Sequence, residues 1–295
     1  MSTEETSPKE RRFTDEVASF SLEPENRLNS NAIEAYKRDG VVCIRNAFGR
    51  DWLALIETGI DSALSGASTN LDVVKGNGVE GDFSFSSQAW MEVEPFRQFI
   101  FDSHAADLAW PFLESKSLVL FYDFLLIKQP RSQSAATPWH QDHSYYPLSG
   151  TKVINCWTAL DTIPLETALR FVRGSHRPPT LYRAVNFESP GNEYRHARSE
   201  HPPPPDFDND DNAEILSTAM QPGDMLVWNS YTFHSAPGNR RNSRRAAFSL
   251  NWVGDDVTYT DTPALDTYRD PSLSAGQPIV CAKFPCLRGE MPVEK

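Results

Sequence analysis

The sequence predicts an α+β protein whose N-terminal helices pack on one sheet of a jelly-roll or double-stranded β-helix core. Two observations carry this prediction. Helical spacing of apolar residues is found mainly before residue 114, and from residue 118 onward short strand-like runs alternate with turn signals. Helices followed by many short strands are typical of α+β folds with a jelly-roll core.

The first third of the chain carries the helical signals. Residues 1–28 are polar with little periodicity, which predicts a mobile tail that also forms part of a lid. A short helix is expected to begin at a cap at Ser30 or Asn31 and to end at Gly40. The other elements expected here are a buried strand at 41–44, an amphipathic helix at 51–64, a Gly-rich loop at 70–87, and one or two helices at 94–113 broken near Pro111.

The strand signals dominate the rest of the chain. A long irregular segment with four consecutive prolines predicts a lid-like insertion at about 178–213, because loops of this length are usually functional or disordered. We expect one domain at 29–260, with its β core at about 117–253, and a loop-rich extension at 261–295. The expected strands lie at 118–129, 152–160, 169–172, 213–219, 225–229, 232–235 and 244–253.

Charge and composition exclude several classes of partner. The net charge of −12 argues against nucleic acid or an anionic membrane surface. No apolar run approaches the ~20 residues that cross a membrane, and the N-terminus lacks the apolar stretch of a secretory signal, so a cytoplasmic location is expected. The four cysteines lack zinc-finger spacing and are expected to be reduced, with a Cys281–Cys286 bridge as the alternative.

The stretch Trp139-His140-Gln141-Asp142-His143 is the first candidate site. Pro138 favours an extended entry, and residues i and i+2 of an extended chain point to the same side, so His140 and Asp142 can hold one ion together. His143 is the alternative ligand, but at i+3 it faces the other way. Taken alone, the motif is better explained by a His and an Asp that make ordinary hydrogen bonds.

His234 and Arg245 strengthen the motif. The run 244–253 alternates between an apolar face, expected to pack on helices, and a small polar face suited to lining a cavity, and Arg245 belongs to the second face. Two His and one carboxylate leave coordination positions open, as in non-haem Fe(II) oxygenases. A guanidinium in the same cavity binds a carboxylate through two parallel hydrogen bonds, which is the requirement of a 2-oxoglutarate site.

Five stretches together resemble the phytanoyl-CoA dioxygenase (PhyH) family of Fe(II)- and 2-oxoglutarate-dependent oxygenases. They are WHQDHSYYPL, CWTALD, LRFVRGSHR, QPGDMLVWNSYTFHSAPGN and SRRAAFSLNW. The resemblance covers roughly residues 41–253 and implies a double-stranded β-helix, cupin-like fold. It also implies that His140, Asp142 and His234 are the metal-binding and catalytic residues, and that Arg245 pairs with the C5 carboxylate of 2-oxoglutarate.

The chain departs from the family pattern at three places. Leu165-Glu166-Thr167-Ala168-Leu169 stands where the family often has E-N-G-x-L, and Arg173 precedes Gly174 where Pro is usual. Ala236 replaces a frequent Ser two residues after the distal His, which puts one cosubstrate hydrogen bond in doubt. None of these positions is a metal ligand. Because Asp142 is present, the halogenation carried out by relatives that lack this carboxylate is not expected.

Several further residues are candidates for the pocket. Trp157, Asn155 and Lys128 are expected near the cosubstrate, although Trp157 serves equally well in core packing. His176 belongs to a turn and is expected to be structural. The candidates for the substrate pocket, with ordinary core packing as the alternative for each, are Tyr122, Trp139, Tyr145, Tyr146 and Trp228.

The sequence therefore predicts an oxidoreductase that uses Fe(II), 2-oxoglutarate and O₂ on a small, largely apolar metabolite. Hydroxylation is favoured, with desaturation or rearrangement as alternatives, and succinate and CO₂ are released. The protein is expected to be a monomer or homodimer whose partner is a small molecule. Two other readings remain: a non-catalytic cupin-like binding protein, and a zinc hydrolase that uses the same two His and one Asp.

Overall fold

A computed structural model gives the fold and describes residues 14–75, 81–132, 136–187 and 194–292. The helices in these ranges are α1 (Ser30–Asp39), α2 (Arg50–Ser62), α3 (Glu94–Asp102) and α4 (Ala105–Leu113). The strands are β1 (Asp15–Glu16), β2 (Ser19–Ser21), β3 (Val41–Arg45), β4 (Leu71–Val74), β5 (Phe83–Ser87), β6 (Ser117–Lys128), β7 (Thr137–His140), β8 (Leu148–Ser149), β9 (Val153–Ala159), β10 (Arg170–Val172), β11 (Ile215–Ser217), β12 (Met225–Asn229), β13 (His234–Ala236), β14 (Arg245–Val253), β15 (Thr258–Tyr259) and β16 (Cys286–Gly289).

Two sheets form the core. The larger has the strand order β2-β3-β12-β9-β14-β6-β5-β4, with β16 paired to β6, and the smaller has the order β1-β11-β10-β13-β7. Buried side chains from both sheets pack together, among them Trp157 and Ala247 of the larger and Phe171 and Leu216 of the smaller. This arrangement confirms the predicted α+β fold with a double-stranded β-helix core.

The helices cover the outer face of the larger sheet. Phe248 of β14 lies against Phe96 and Phe99 of α3, with ring centroids 4.6 and 5.9 Å apart. On the same face of β14, Ala246, Leu250 and Trp252 belong to the same apolar cluster as the helices. The period-2 alternation of β14 therefore divides a helix-facing layer from an inner face that points toward the smaller sheet.

The turn after α1 joins the helical layer to the strands. Asn29 caps α1, since its side chain accepts a hydrogen bond from the Asn31 amide, so the cap lies one residue before the predicted position. Gly40 ends the helix as predicted, with φ of 83°. A Cβ on Gly40 would come within 2.5 Å of His176 Nδ1 and 2.6 Å of Thr232 Oγ1, so this crossing requires glycine.

Three predictions about the irregular regions were wrong in part. Residues 14–28 of the expected tail contain β1, which pairs with β11, and β2, which pairs with β3; residues 1–13 lie outside the described residues. The expected 70–87 loop contains the β4–β5 hairpin, whose residues 76–80 are likewise outside them. The expected loop-rich extension contributes β16 to the larger sheet.

The helical break predicted near Pro111 lies earlier. Ser103 adopts an extended conformation after α3, and its hydroxyl accepts a hydrogen bond from the Ala105 amide at the start of α4, so Pro111 falls inside α4. The predicted lid forms no helix or named strand at residues 178–187 and 194–213, and residues 188–193 are outside the described part of the chain. In the part that the structure describes, no helix is long and apolar enough to cross a membrane.

Candidate metal centre

Neighbouring strands of the smaller sheet bring the two candidate imidazoles together. β7 and β13 are antiparallel, with His140 directly opposite His234, and the two ring centroids lie 4.1 Å apart. Asp142 follows at the start of a 3₁₀ turn, Asp142–Tyr145, which directs its carboxylate back to the same place. The predicted same-side geometry of His140 and Asp142 is therefore present at the end of β7.

The three side chains converge on one point. Oδ1 of Asp142 lies 3.4 Å from His140 Nε2 and 3.5 Å from His234 Nε2. One ligand atom from each of the three residues lies within 4.8 Å of the others. This spacing suits a divalent first-row metal bound on one face, with the opposite positions open.

Each imidazole is fixed in the orientation that metal binding requires. Nδ1 of His140 lies 2.9 Å from the Pro138 carbonyl, and Nδ1 of His234 lies 3.0 Å from the Thr232 carbonyl. Because a carbonyl only accepts, both Nδ1 atoms carry the proton and both Nε2 lone pairs face the centre. Burial lowers the pKa of His234 to about 4, which keeps its ring neutral at physiological pH.

The carboxylate is held by two donors on its other oxygen. Oδ2 of Asp142 accepts hydrogen bonds from Asn155 Nδ2 at 2.6 Å and from Trp228 Nε1 at 2.8 Å. Burial acts to raise the pKa of Asp142, but interactions that include the hydrogen bond from the Trp228 indole outweigh burial and lower the pKa. Oδ2 is thus occupied by protein donors, and the ionised Oδ1 remains for a metal.

Two buried cations lie side by side on the inner face of the larger sheet. Arg245 and Lys128 are cross-strand partners on β14 and β6, with exposures of 6% and 5%. Both donate to the Pro237 carbonyl, at 3.2 and 3.4 Å, and neither has a carboxylate partner among the described residues. Burial lowers the pKa of Arg245 to about 10, and burial and Arg245 lower that of Lys128. Such a pair calls for an anionic ligand.

The other predicted cosubstrate residues lie along the same inner face. Trp157 is buried in the cluster between the sheets, and the Arg245 guanidinium carbon lies 5.8 Å from the centre of its ring. The core packing considered for Trp157 is therefore present, and its place in the wall of a cosubstrate pocket stays a prediction. Asn155 contacts Asp142, so it supports a metal ligand where a direct contact with the cosubstrate was predicted.

The aromatic candidates divide into two groups. Tyr122 and Tyr146 share a 2.7 Å hydrogen bond between their hydroxyls, and the Tyr145 ring lies 5.9 Å from that of His140. The Trp228 indole donates its hydrogen bond to Asp142. Trp139 lies on the opposite face of β7 from His140 and donates to Asp208, so its predicted place in the pocket is wrong in geometry.

Two histidines lie near the motifs and outside the metal-binding group. His143 is fully buried, its Nδ1 is 3.0 Å from Ser230 Oγ, and it stacks on Tyr231 with ring centroids 4.2 Å apart. Burial lowers its pKa to about 3, so it is a neutral packing residue. His176 contacts the Lys37 carbonyl from the turn after β10, at 3.2 Å, in keeping with a structural role.

Sequence reasoning missed two contacts of the centre. Phe187, from the irregular segment, places its ring 4.7 Å from that of His140, and no periodic signal marks its position. Gln141, between two ligands, bonds through its side chain to the Thr180 and Tyr231 carbonyls and to the Tyr182 amide. The position of Gln141 between His140 and Asp142 was the only feature of the sequence that could have indicated this role. Its hydrogen bonds connect the start of the 178–213 segment to the metal centre.

A double-stranded β-helix that carries two imidazoles and one carboxylate at a facial site defines the structural class of non-haem iron oxygenases. Residues 36–247 match the model of the family described as Phytanoyl-CoA dioxygenase (PhyH). The chain belongs to this family. This membership is the one that the sequence motifs predicted.

Individual relatives agree with this assignment. A probable phytanoyl-CoA dioxygenase of Caenorhabditis elegans is 26% identical over 148 residues, which are 48% of this chain and 45% of the relative. The chain thus matches less than half the length of that relative. The carbocyclase SnoK from nogalamycin biosynthesis has a TM-score of 0.68 at 20% identity, with 88% of this chain and 97% of that chain covered.

A second solved structure carries ligands. The epimerase SnoN, crystallised with Fe3+, alpha ketoglutarate and nogalamycin RO, has a TM-score of 0.69 at 22% identity. The superposition covers 88% of this chain and 98% of that chain. At this level of identity the likeness establishes a shared fold.

Proposed function

We propose that this protein is an Fe(II)- and 2-oxoglutarate-dependent dioxygenase that oxidises a small, largely apolar metabolite, most simply by hydroxylation. The observation that carries the proposal is the buried pair Arg245 and Lys128, which lacks a carboxylate partner among the described residues. A buried anion must neutralise such a pair. The distal carboxylate of 2-oxoglutarate meets this requirement, and the metal-binding group lies in the same space between the sheets.

The residues present fit Fe(II). His140 and His234 each turn Nε2 toward the centre, Asp142 offers Oδ1, and every other polar atom of these groups is held by the protein. Once bound, Fe(II) with 2-oxoglutarate and O₂ supplies the oxidation of a C–H bond, with succinate and CO₂ as co-products. The task of the chain is to hold these partners, orient the substrate and keep water out.

Aromatic residues support the exclusion of water. The Tyr145 hydroxyl donates to the Val185 carbonyl at 2.8 Å and accepts from the Val185 amide at 3.0 Å, which fixes the described start of the 178–213 segment beside the centre. Phe187 follows and packs on both His140 and Tyr145. We assign these contacts to the inner edge of a lid that closes over the substrate.

The substrate proposed is free of a coenzyme A group. The sequence offers few basic residues for its phosphates, and two of them are already neutralised. Arg241 pairs with Glu166 at 2.8 Å, while Arg244 is bound by Asp161 and Glu57. The surroundings of the metal centre are instead rich in aromatic rings, which favour a compact, largely apolar molecule. The named roles of SnoK and SnoN in nogalamycin biosynthesis support a substrate from secondary metabolism.

The test measures succinate formed from 2-oxoglutarate in air by protein loaded with Fe(II) or with Zn(II). We expect the Fe(II)-loaded protein to form succinate and the Zn(II)-loaded protein to form none. The Arg245→Ala variant should need at least ~10-fold more 2-oxoglutarate for the same rate, since hydrogen bonds to charged groups contribute about 1.5–3 kcal/mol. The exposed Arg241→Ala variant is the matched control and should match the parent. A hydrolase would ignore 2-oxoglutarate and prefer Zn(II), and a binding protein would hold metal without releasing succinate; either result rejects the proposal.

A further inference from the structure

Asn251 is a buried polar residue that the metal centre and the cosubstrate leave unused. It lies on the inner face of β14, between Tyr122 of β6 and Asn155 of β9, and is 1% exposed. Its Nδ2 donates to the Tyr122 backbone carbonyl at 3.4 Å. A carbonyl only accepts, so the amide nitrogen must face it, and Oδ1 is the atom left over. Among the described residues, Oδ1 has no hydrogen-bond partner.

An unpaired buried acceptor of this kind is costly. Leaving a buried polar group unsatisfied is destabilising, so native proteins normally provide a partner from the chain, from water or from a ligand. Asn155, the cross-strand neighbour of Asn251, already donates to Asp142. The unpaired oxygen of Asn251 therefore lies on the inner face of the larger sheet, next to Asn155, which supports the metal ligand Asp142.

Three tyrosine side chains pack together next to these residues. Tyr122 comes from β6, Tyr146 from the loop after the metal-binding motif, and Tyr268 from a 3₁₀ turn, Asp266–Tyr268, in the C-terminal extension. The Tyr122 hydroxyl bonds to that of Tyr146 at 2.7 Å, and the Tyr268 ring lies 5.1 Å from the rings of both. The hydrogen bond between Tyr122 and Tyr146 uses one of the three phenol protons, so the group keeps O–H donors for a ligand.

These hydroxyls lie within electrostatic reach of the metal ligand. The charge of Asp142 contributes to raising the pKa of all three tyrosines, after burial as the main cause, so each phenol stays protonated and able to donate.

We propose that Asn251 and the phenol group of Tyr122, Tyr146 and Tyr268 form a subsite that holds an alcohol hydroxyl of the substrate beside the metal centre. A hydroxyl is both donor and acceptor, so it satisfies Asn251 Oδ1 and receives a phenol proton together. The inference rests on the proposed function and narrows its substrate class to an apolar molecule that carries at least one hydroxyl near the carbon to be oxidised.

The test compares two small probes, cyclohexanol and methylcyclohexane, on the full chain. Binding is followed by ligand-observed NMR without O₂ or 2-oxoglutarate, and Mn(II) in the metal centre serves as a relaxation agent that reports nearby probes. We expect the parent protein to bind cyclohexanol more tightly than methylcyclohexane. The protons of cyclohexanol should relax faster with the Mn(II)-loaded protein than with the metal-free protein. Asn251→Leu and Tyr268→Phe should each reduce the alcohol preference at least ~5-fold, the equivalent of about 1 kcal/mol for one hydrogen bond.

Controls separate recognition from packing. Tyr259→Phe alters another buried tyrosine of the same apolar cluster and should leave the preference unchanged. Asn251→Leu should unfold at a temperature equal to or above the parent, because it removes an unsatisfied acceptor. Equal binding of the two probes by the parent, or an unchanged preference in Asn251→Leu, would overturn the inference. The NMR experiment measures binding and no turnover. A protein that releases no succinate would therefore reject the proposed reaction, whereas the alcohol preference would still be decided by the NMR experiment.

Discussion

Trp228 donates a 2.8 Å hydrogen bond from its indole nitrogen to Oδ2 of Asp142, the carboxylate oxygen that does not approach the two imidazoles. The contact joins β12, an interior strand of the larger sheet, to the metal-binding turn after β7. A partner of this kind orients a metal ligand without touching the metal. It also explains why an indole, usually a core residue, lies at the edge of the site.

Replacing this indole should weaken the metal centre selectively. Trp228→Phe keeps an aromatic ring between Phe171 and His234 but removes the donor, and loss of such a partner typically lowers metal affinity about 10–100-fold. Fe(II) titration under argon measures the effect. Trp139→Phe is the matched control, because its indole bonds to Asp208 on the other side of β7. Equal Fe(II) affinity of parent and Trp228→Phe would show that Asn155 alone orients the carboxylate.

Removing any of the three ligands should abolish iron-dependent turnover. His140→Ala, Asp142→Ala and His234→Ala each leave two donors, too few for a stable facial site. Bound iron after gel filtration and succinate release are the two measurements. His143→Gln should retain iron, since His143 contacts Ser230 and Tyr231. A His234→Ala protein that consumed 2-oxoglutarate at the parent rate would contradict the ligand assignment.

The core of the site was predictable because period-2 alternation survives in the fold. Arg245 faces inward because β14 alternates regularly around it, and Asp142 reaches the side of His140 because Gln141 stays extended before the 3₁₀ turn begins. The β1 and β2 strands were missed because their partners are distant in sequence; Asp15, for example, pairs with Leu216. Phe187 was missed because an irregular segment carries no periodicity from which a side-chain direction can be read.

The β4–β5 hairpin shows a second limit of pattern reading. In β5 the buried positions are Ser84 and Ser86, while Phe83 and Phe85 are partly exposed, which reverses the usual alternation. Ser86 meets Ser68 in a buried 3.3 Å hydrogen bond, so the buried, helix-facing side of β5 is polar yet satisfied. A rule that places apolar residues inside therefore assigned this Gly-rich stretch to a loop.

Lys128 should lower the stability of the ligand-free protein and strengthen the binding of 2-oxoglutarate. Its buried amine lies beside Arg245, so Lys128→Met should raise the unfolding temperature of the ligand-free protein by relieving repulsion and the cost of burying charge. The same change should raise the Kd for 2-oxoglutarate about 10-fold. Calorimetric titration and thermal unfolding measure the two effects.

A control lysine distinguishes this behaviour from a general effect of charge removal. Lys152 pairs with Asp255 at 2.7 Å at a partly exposed position. Lys152→Met should leave 2-oxoglutarate binding unchanged and should not stabilise the protein. If Lys128→Met lowered the unfolding temperature and bound 2-oxoglutarate like the parent, Lys128 would be a packing residue and no part of the anion site.

Asp123 should make stability depend on pH near neutrality. It is fully buried on the helix-facing side of β6, opposite Leu250, and neither carboxylate oxygen has a hydrogen-bond partner with good geometry among the described residues. Burial raises its pKa to about 7, an effect that the nearby backbone amides of Trp90 and Ala89 reduce without cancelling. The folded state therefore holds this proton more tightly than the unfolded chain does.

The sign of the pH effect follows from that raised pKa. Protonated Asp123 contributes fully to the free energy of unfolding below the pKa of the unfolded chain, near 4, and this contribution is lost as the pH rises through about 7. At about 1.4 kcal/mol per pKa unit, the loss is at most roughly 4 kcal/mol. Asp123→Asn cannot ionise, so its unfolding temperature should stay flat from pH 5 to 8 while that of the parent falls. Asp255→Asn is the control, because Lys152 lowers the pKa of Asp255 to about 2, and its effect should be constant over this range. Parallel curves for the parent and Asp123→Asn would show that Asp123 is ionised throughout and paired by a group that moves toward it.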